Sequence, residues 1–142
     1  MSKSSGMASS LLALVFNATP WAGIAGAAVS PNTHLYVALH TSDPGASGDQ
    51  TASEASFLSY ARVAVVRSAT GWTVAGGAAS NAEIVQFPIC SGGSDLITHF
   101  SVGMAATGPA AVLYRGALTE AVSVSNGIQV EFGAGAMRFE EQ

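Results

Sequence analysis

Charge is scarce in this 142-residue sequence: Lys, Arg, Asp and Glu together make up 10% of it, against about 25% in ordinary soluble domains. Surface charge keeps a monomer apart from its neighbours. The shortage therefore points to a surface partly covered by a partner, or else to one solvated by Ser and Thr hydroxyls. Basic charge is rarest, with one lysine and four arginines, at positions 62, 67, 115 and 138, and a net charge of −4. A nucleic-acid surface needs clustered cations to displace phosphate counterions, so direct contact with nucleic acid is disfavoured.

Cysteine is nearly absent as well. Cys90 stands alone, which rules out an intramolecular disulfide and a Cys-rich zinc site and leaves it as a small, buried apolar group. Long hydrophobic runs are also missing: no stretch approaches the roughly 18–20 apolar residues of a membrane-crossing helix, and no membrane role is expected. Lys3 before the apolar residues 11–16 imitates a signal peptide, but the run is short and carries one positive charge, so an intact terminus is expected.

What is present is 49% hydrophobic residues and sixteen glycines scattered without a period. The length suits a single domain with one ordinary core. Residues 7–17 read as a helix, with Ser9 or Ser10 able to cap it and Pro20 blocking its continuation. Apolar residues nearly encircle that helix, which implies burial against the domain or against a neighbouring subunit. Residues 18–33 read as a small-residue arm.

From His34 the pattern changes to short alternating runs broken by turn residues, the signature of a sandwich or barrel. In residues 34–40 Leu35, Val37 and Leu39 share one face, and Tyr36, Ala38 and His40 the other. A polar loop follows over 41–56. Further strands are expected at 60–67, at 71–74 ended by Gly76-Gly77, at 81–88 cut by Pro88, at 96–104, at 111–118 and at 121–124. Asn126-Gly127 is a strong hairpin signal before a last strand at 128–132, with Ile128, Val130 and Phe132 inward. About eight strands without intervening helices predict an all-β, antiparallel two-sheet sandwich of jelly-roll type, with an immunoglobulin-like sandwich as the second choice. The division is a helix and arm over 1–33 and a β-domain over 34–142.

Catalytic chemistry finds little support. His34 and His40 share one strand face but stand about 20 Å apart, so they cannot hold one ion together, and all three histidines read as sheet-surface residues. No Gly-x-Ser-x-Gly elbow is present, and Cys90 has no histidine near it in sequence. Asp43, Asp49, Glu54, Glu83, Asp95 and Glu131 read as solvated charge rather than as a catalytic pair. No catalytic residue, metal or cofactor is expected, and the protein reads as a non-enzyme.

Seven ordered segments carry a resemblance. They are residues 11–17 (LLALVFN), 35–45 (LYVALHTSDPG), 60–65 (YARVAV), 71–74 (GWTV), 97–103 (ITHFSVG), 113–118 (LYRGAL) and 124–128 (VSNGI). Together they span nearly the whole chain. The sequence resembles a family of small tailed-phage and prophage virion proteins, tail-fibre-like by label and including a podovirus capsid cement protein of this size. The resemblance implies a jelly roll, made in the host cytoplasm, that decorates the capsid exterior and binds the phage major capsid protein. A homo-oligomer, with a dimer favoured, is expected. The candidate partner interface is Leu11, Leu12, Leu14, Val15, Phe16, Trp21 and Ile24. The alternative is a tail or fibre attachment module with lectin-like carbohydrate binding, for which Tyr36, Tyr60 or Trp72 would be exposed.

Overall fold

The computed structural model describes residues 4–21 and 31–141. Along the chain the elements are α1 (Ser5–Asn17), β1 (His34–His40), β2 (Val63–Val66), β3 (Trp72–Ala75), β4 (Ala78–Asn81), β5 (Val85–Gln86), β6 (Asp95–Gly103), β7 (Tyr114–Val124), β8 (Glu131–Phe132) and β9 (Arg138–Glu140). The described residues are thus mostly β with one short helix. The strands form sheets ordered β2-β1-β6-β7, β3-β4-β9 and β5-β8. The chain divides into two compact units, and neither is continuous in sequence: residues 1–34, 66–85 and 132–142 form the first, and residues 35–65 and 86–131 the second.

In the first unit α1 begins earlier than its apolar pattern suggests. Its N-cap is Ser4, not Ser9 or Ser10: the Ser4 hydroxyl accepts the Met7 N–H at 3.2 Å, satisfying a donor that has no intrahelical partner. Ser9 lies inside the helix, and its hydroxyl accepts the Gly77 N–H at 3.1 Å. The helix stops at Ala18, which takes a left-handed conformation with φ 53°, two residues before Pro20. β3 and β4 are joined by Gly76-Gly77 with φ of 60° and 75°, the two positive values that a two-residue type I′ hairpin requires. The glycine pair ends β3, as expected, and turns the chain directly into β4 beside it; of the strand expected at 81–88, only Asn81 at the end of β4 and the two residues of β5 are strand. Phe16 of α1, Trp72 of β3 and Phe139 of β9 fill the core. Ring centroids lie 4.8 Å apart for Phe16–Trp72 and 5.2 Å for Phe16–Phe139.

The second unit is built on β1, whose seven residues coincide with the expected strand. Leu35, Val37 and Leu39 are buried, as alternation requires, but Ala38 and His40 on the other face are fully buried too. Residues 49–55 fold back over that face. The Gln50 amide donates to the Tyr36 carbonyl at 3.0 Å, and the Ala55 N–H donates to Leu39 at 2.9 Å.

β6 pairs with β7 from Ile97↔Val122 and again from His99↔Ala117. Residues 118–121 thus bulge opposite Thr98 alone, within a single strand where alternation suggested two. After β7 the Asn126-Gly127 pair turns the chain, with Gly127 at φ 88°, but no hairpin back onto β7 follows. The Phe87 N–H donates to Val130 and the Cys90 N–H to Ile128, each at 2.9 Å. Pro88 between them has no N–H to give. The expected strand at 128–132 therefore shrinks to β8, with Val130 buried and Ile128 40% exposed.

Candidate functional site

The helix residues expected to meet a partner divide sharply. Leu12 and Phe16 are fully buried in the core of the first unit, so in this fold they present no surface. Leu11, Leu14 and Val15 are half-buried. Trp21, also half-buried, borders a shallow groove of about 400 Å³ with Ser9, Ser10, Ala13, Thr19 and Pro20. Ile24 lies outside the described residues. The end of α1 is tied down: the Arg67 guanidinium donates to the carbonyls of Val15 at 2.6 Å, Leu14 at 2.5 Å and Asn32 at 3.1 Å. One cation thereby satisfies two carbonyls that the helix end leaves open.

The rings suggested for a sugar-binding face are not gathered on a surface. Trp72 is fully buried in the first unit, and Tyr36 of the second unit is half-buried. The Tyr60 hydroxyl is engaged inside the second unit, donating to Glu54 at 2.9 Å and accepting the Leu39 N–H at 3.1 Å. Burial holds the Tyr60 phenol far above its ordinary pKa.

Glu54, which reads in sequence as solvated charge, is the centre of a clamp. Arg62 meets it in a two-pronged contact, Nε to Oε1 at 2.7 Å and Nη2 to Oε2 at 3.0 Å. The same guanidinium donates to the carbonyls of Ala105 at 3.0 Å and Gly108 at 2.8 Å. Arg62 has 2% of its side chain exposed and Glu54 17%. Glu54 raises the already high pKa of the guanidinium, so it stays charged. The loop between β6 and β7 is composed mainly of small residues and takes its shape from this buried charge. The Gln50 N–H adds a bond to Ala110 at 2.9 Å.

The two loop aspartates are engaged locally. The Gly45 N–H at 2.9 Å and the Arg115 guanidinium at 2.8 Å hold Asp43 below the usual carboxylate range. The Thr51 hydroxyl and N–H do the same for Asp49. His40 is fully buried, contrary to the surface position its sequence context suggests, and burial lowers its pKa. Its ring nitrogens lie 2.8 Å from the Ala52 carbonyl and 2.8 Å from the Ser101 hydroxyl. Among the described residues no three His, Cys, Asp or Glu side chains converge as a metal ion would need.

The second unit also exposes large aliphatic side chains. Leu58 is 61% exposed, Ile89 55%, Leu96 53% and Ile128 40%. The segments that carry them are joined by hydrogen bonds. Leu58 and the 91–92 backbone exchange bonds of 2.9 and 3.1 Å, and the Cys90 N–H reaches Ile128 at 2.9 Å. Asp95, beside Leu96, accepts the N–H groups of Ser56 and Phe57 at 2.7 and 2.8 Å. Alternation predicts Ile128 inward, and nothing in the sequence marks these four residues as one region.

The family described as podophage GP4 fiber I protein gp80 matches the chain over residues 8–140. No curated protein matches it.

Proposed function

The chain belongs to this podophage fibre family, a family of phage structural proteins, and on that premise we propose that it acts by adhesion alone, as a non-enzymatic fibre component of the virion. The carrying observation is the set of aliphatic residues Leu58, Ile89, Leu96 and Ile128, held out on interlinked segments of a protein with few charges. Apolar side chains left in water on a structural protein favour a surface that a neighbour covers. Their burial stabilises an assembly without any chemical step. We read the four-stranded sheet β2-β1-β6-β7 as part of a jelly-roll scaffold.

The arginines argue against a nucleic-acid partner. Arg62 and Arg67 are spent on internal carbonyls and on Glu54, and Arg115 and Arg138 pair with Asp43 and Glu140.

Capsid cement is the second reading. The scarcity of charge over the whole chain favours it, because a decoration protein is covered on a broad face. Its partner would be the major capsid protein, bound on the shell exterior by a homodimer of this chain. Quantitative mass spectrometry of purified particles, with labelled antibody to locate the protein, separates the two. Copies on the order of a dozen at the tail are expected; hundreds over the shell would overturn the fibre reading in favour of cement, because avidity over a lattice requires many copies. Absence from the particle would overturn both.

A further inference from the structure

The loop of residues 41–54 is fastened over β1 and β6 by a chain of buried hydrogen bonds that closes for only one protonation state. We propose that this chain is an acid-release latch, in which a second proton on His40 frees residues 43–53 while the four-stranded sheet stays folded.

The proton positions follow from chemistry. The Ala52 carbonyl can only accept, so the His40 Nδ1 at 2.8 Å carries a hydrogen. In the neutral ring Nε2 is then the acceptor, and the Ser101 hydroxyl at 2.8 Å donates to it. Ser101 Oγ in turn accepts from the Gln50 Nε2 at 3.1 Å, and that amide's other hydrogen goes to the Tyr36 carbonyl at 3.0 Å. The Tyr36 carbonyl also fixes which way the Gln50 amide faces. Gln50 Oε1 is enclosed, with no partner among the described residues. His40, Gln50 and Ser101 are all fully buried.

A proton added at Nε2 reverses one link. The ring then donates to Ser101, whose own hydrogen has no acceptor, because Gln50 presents its NH₂ group to that oxygen. An enclosed positive charge and an enclosed orphan donor are both costly. Both costs vanish if Gln50 and Ala52 swing out together, and they sit two residues apart on one loop. The loop is already exposed along Thr41, Ser42, Asp43, Ala46, Ser47, Thr51 and Ser53. Beyond it the Glu54–Arg62 pair anchors the chain and ends the moving segment.

The charged groups that act on His40 are Glu54, which favours the protonated ring, and Arg62 and His99, which oppose it. His99 faces His40 across the β1–β6 pairing. Burial is the largest influence and lowers the closed-state pKa below the ordinary 6.5. A group whose folded pKa is lowered loses stabilisation as pH falls through its open-state value, so closure is complete above about pH 6.5 and weakens progressively below it.

Hydrogen–deuterium exchange of the full chain from about pH 7.5 to about pH 5, corrected for intrinsic rates, tests this. Protection over residues 48–53 should fall about tenfold per unit of pH below the open-state pKa, while residues 95–103 keep theirs. His99→Gln should retain the response, and His40→Gln should abolish it. Unchanged loop protection in the native chain, an equal fall in His40→Gln, or simultaneous loss over 95–103 would overturn the latch. If His40→Gln does not fold, ring NMR of the native chain decides. The His40 titration and the Gln50 amide signals should move together, and a titrating ring with a static Gln50 amide refutes the proposal.

Discussion

Gly103 shows how one missing methyl group sets the buried polar arrangement of the second unit. A Cβ built there would stand 2.2 Å from Gln50 Oε1 and 2.3 Å from its Cδ. Gln50 cannot retreat without releasing the Tyr36 carbonyl and Ser101. Gly103→Ala should therefore cost at least about 2 kcal/mol, combining overpacking with lost hydrogen bonds. At Gly133 a Cβ meets nothing within 4 Å, so Gly133→Ala should stay within about 0.5 kcal/mol of the native chain. Urea denaturation of the two variants checks both values, and equal destabilisation would show that Gln50 is freer than its bonds indicate. These residues were the least legible in the sequence. His40 and Glu54 look like any polar residue beside a loop, because burial of a polar group depends on partners that the local pattern does not name. His40 needs Ser101 and Glu54 needs Arg62, and each pair is assembled only when separate segments meet.

Elements follow a different logic, since a helix or strand declares itself by its own periodicity. β1 and α1 were readable for that reason, to within a residue or two at α1. What was not readable was the partner beyond each connection. Gly76-Gly77 ends β3 as expected, and its two positive φ values also make it the join of β3 and β4; Asn126-Gly127 looks like a hairpin, yet the chain beyond it pairs with residues 85–90. A turn residue states that the chain bends and leaves open which strand it meets next.

The loop between β6 and β7 is the extreme case. Most of its residues are small, and the Arg62 guanidinium holds it through the carbonyls of Ala105 and Gly108. Arg62→Ala would leave Glu54 enclosed without its cation, a change that costs about 3–5 kcal/mol when a buried pair is broken. Arg115→Ala breaks only the exposed contact with Asp43, which water and salt screen, so little stability should be lost. Equilibrium denaturation should separate the two variants clearly. Proteolysis of the Arg62→Ala variant should cut first between residues 104 and 113, and an unchanged first cut would place the loop's rigidity elsewhere.

On the scale of the whole molecule, the grouping of strands departs from chain order. β3, β4 and β9 join the middle of the sequence to its end, so composition and alternation could announce the strands without announcing their sheets. The surface left two readings open. Ten per cent charge fits a surface covered by a partner or one solvated by hydroxyls, and under the proposed function the exposed aliphatic residues favour the first. These features give opposite forecasts under salt for adhesion and for electrostatic attachment. Exposed charges are screened beyond about 3 Å at 1 M ionic strength, whereas burial of aliphatic surface does not depend on charge and strengthens with excluded salts. Particles carrying this protein should thus retain it through a wash with concentrated sodium sulfate. Leu58→Asp and Ile128→Asp should each reduce retention by about tenfold, the equivalent of about 1.4 kcal/mol, because a carboxylate would replace apolar contact at residues 61% and 40% exposed in the free chain. Immunoblots of washed particles, normalised to a head protein, provide the measure. Release of the native chain by salt, with both aspartate variants retained normally, would mean that the particle grips this protein through its few charges and not through its aliphatic surface.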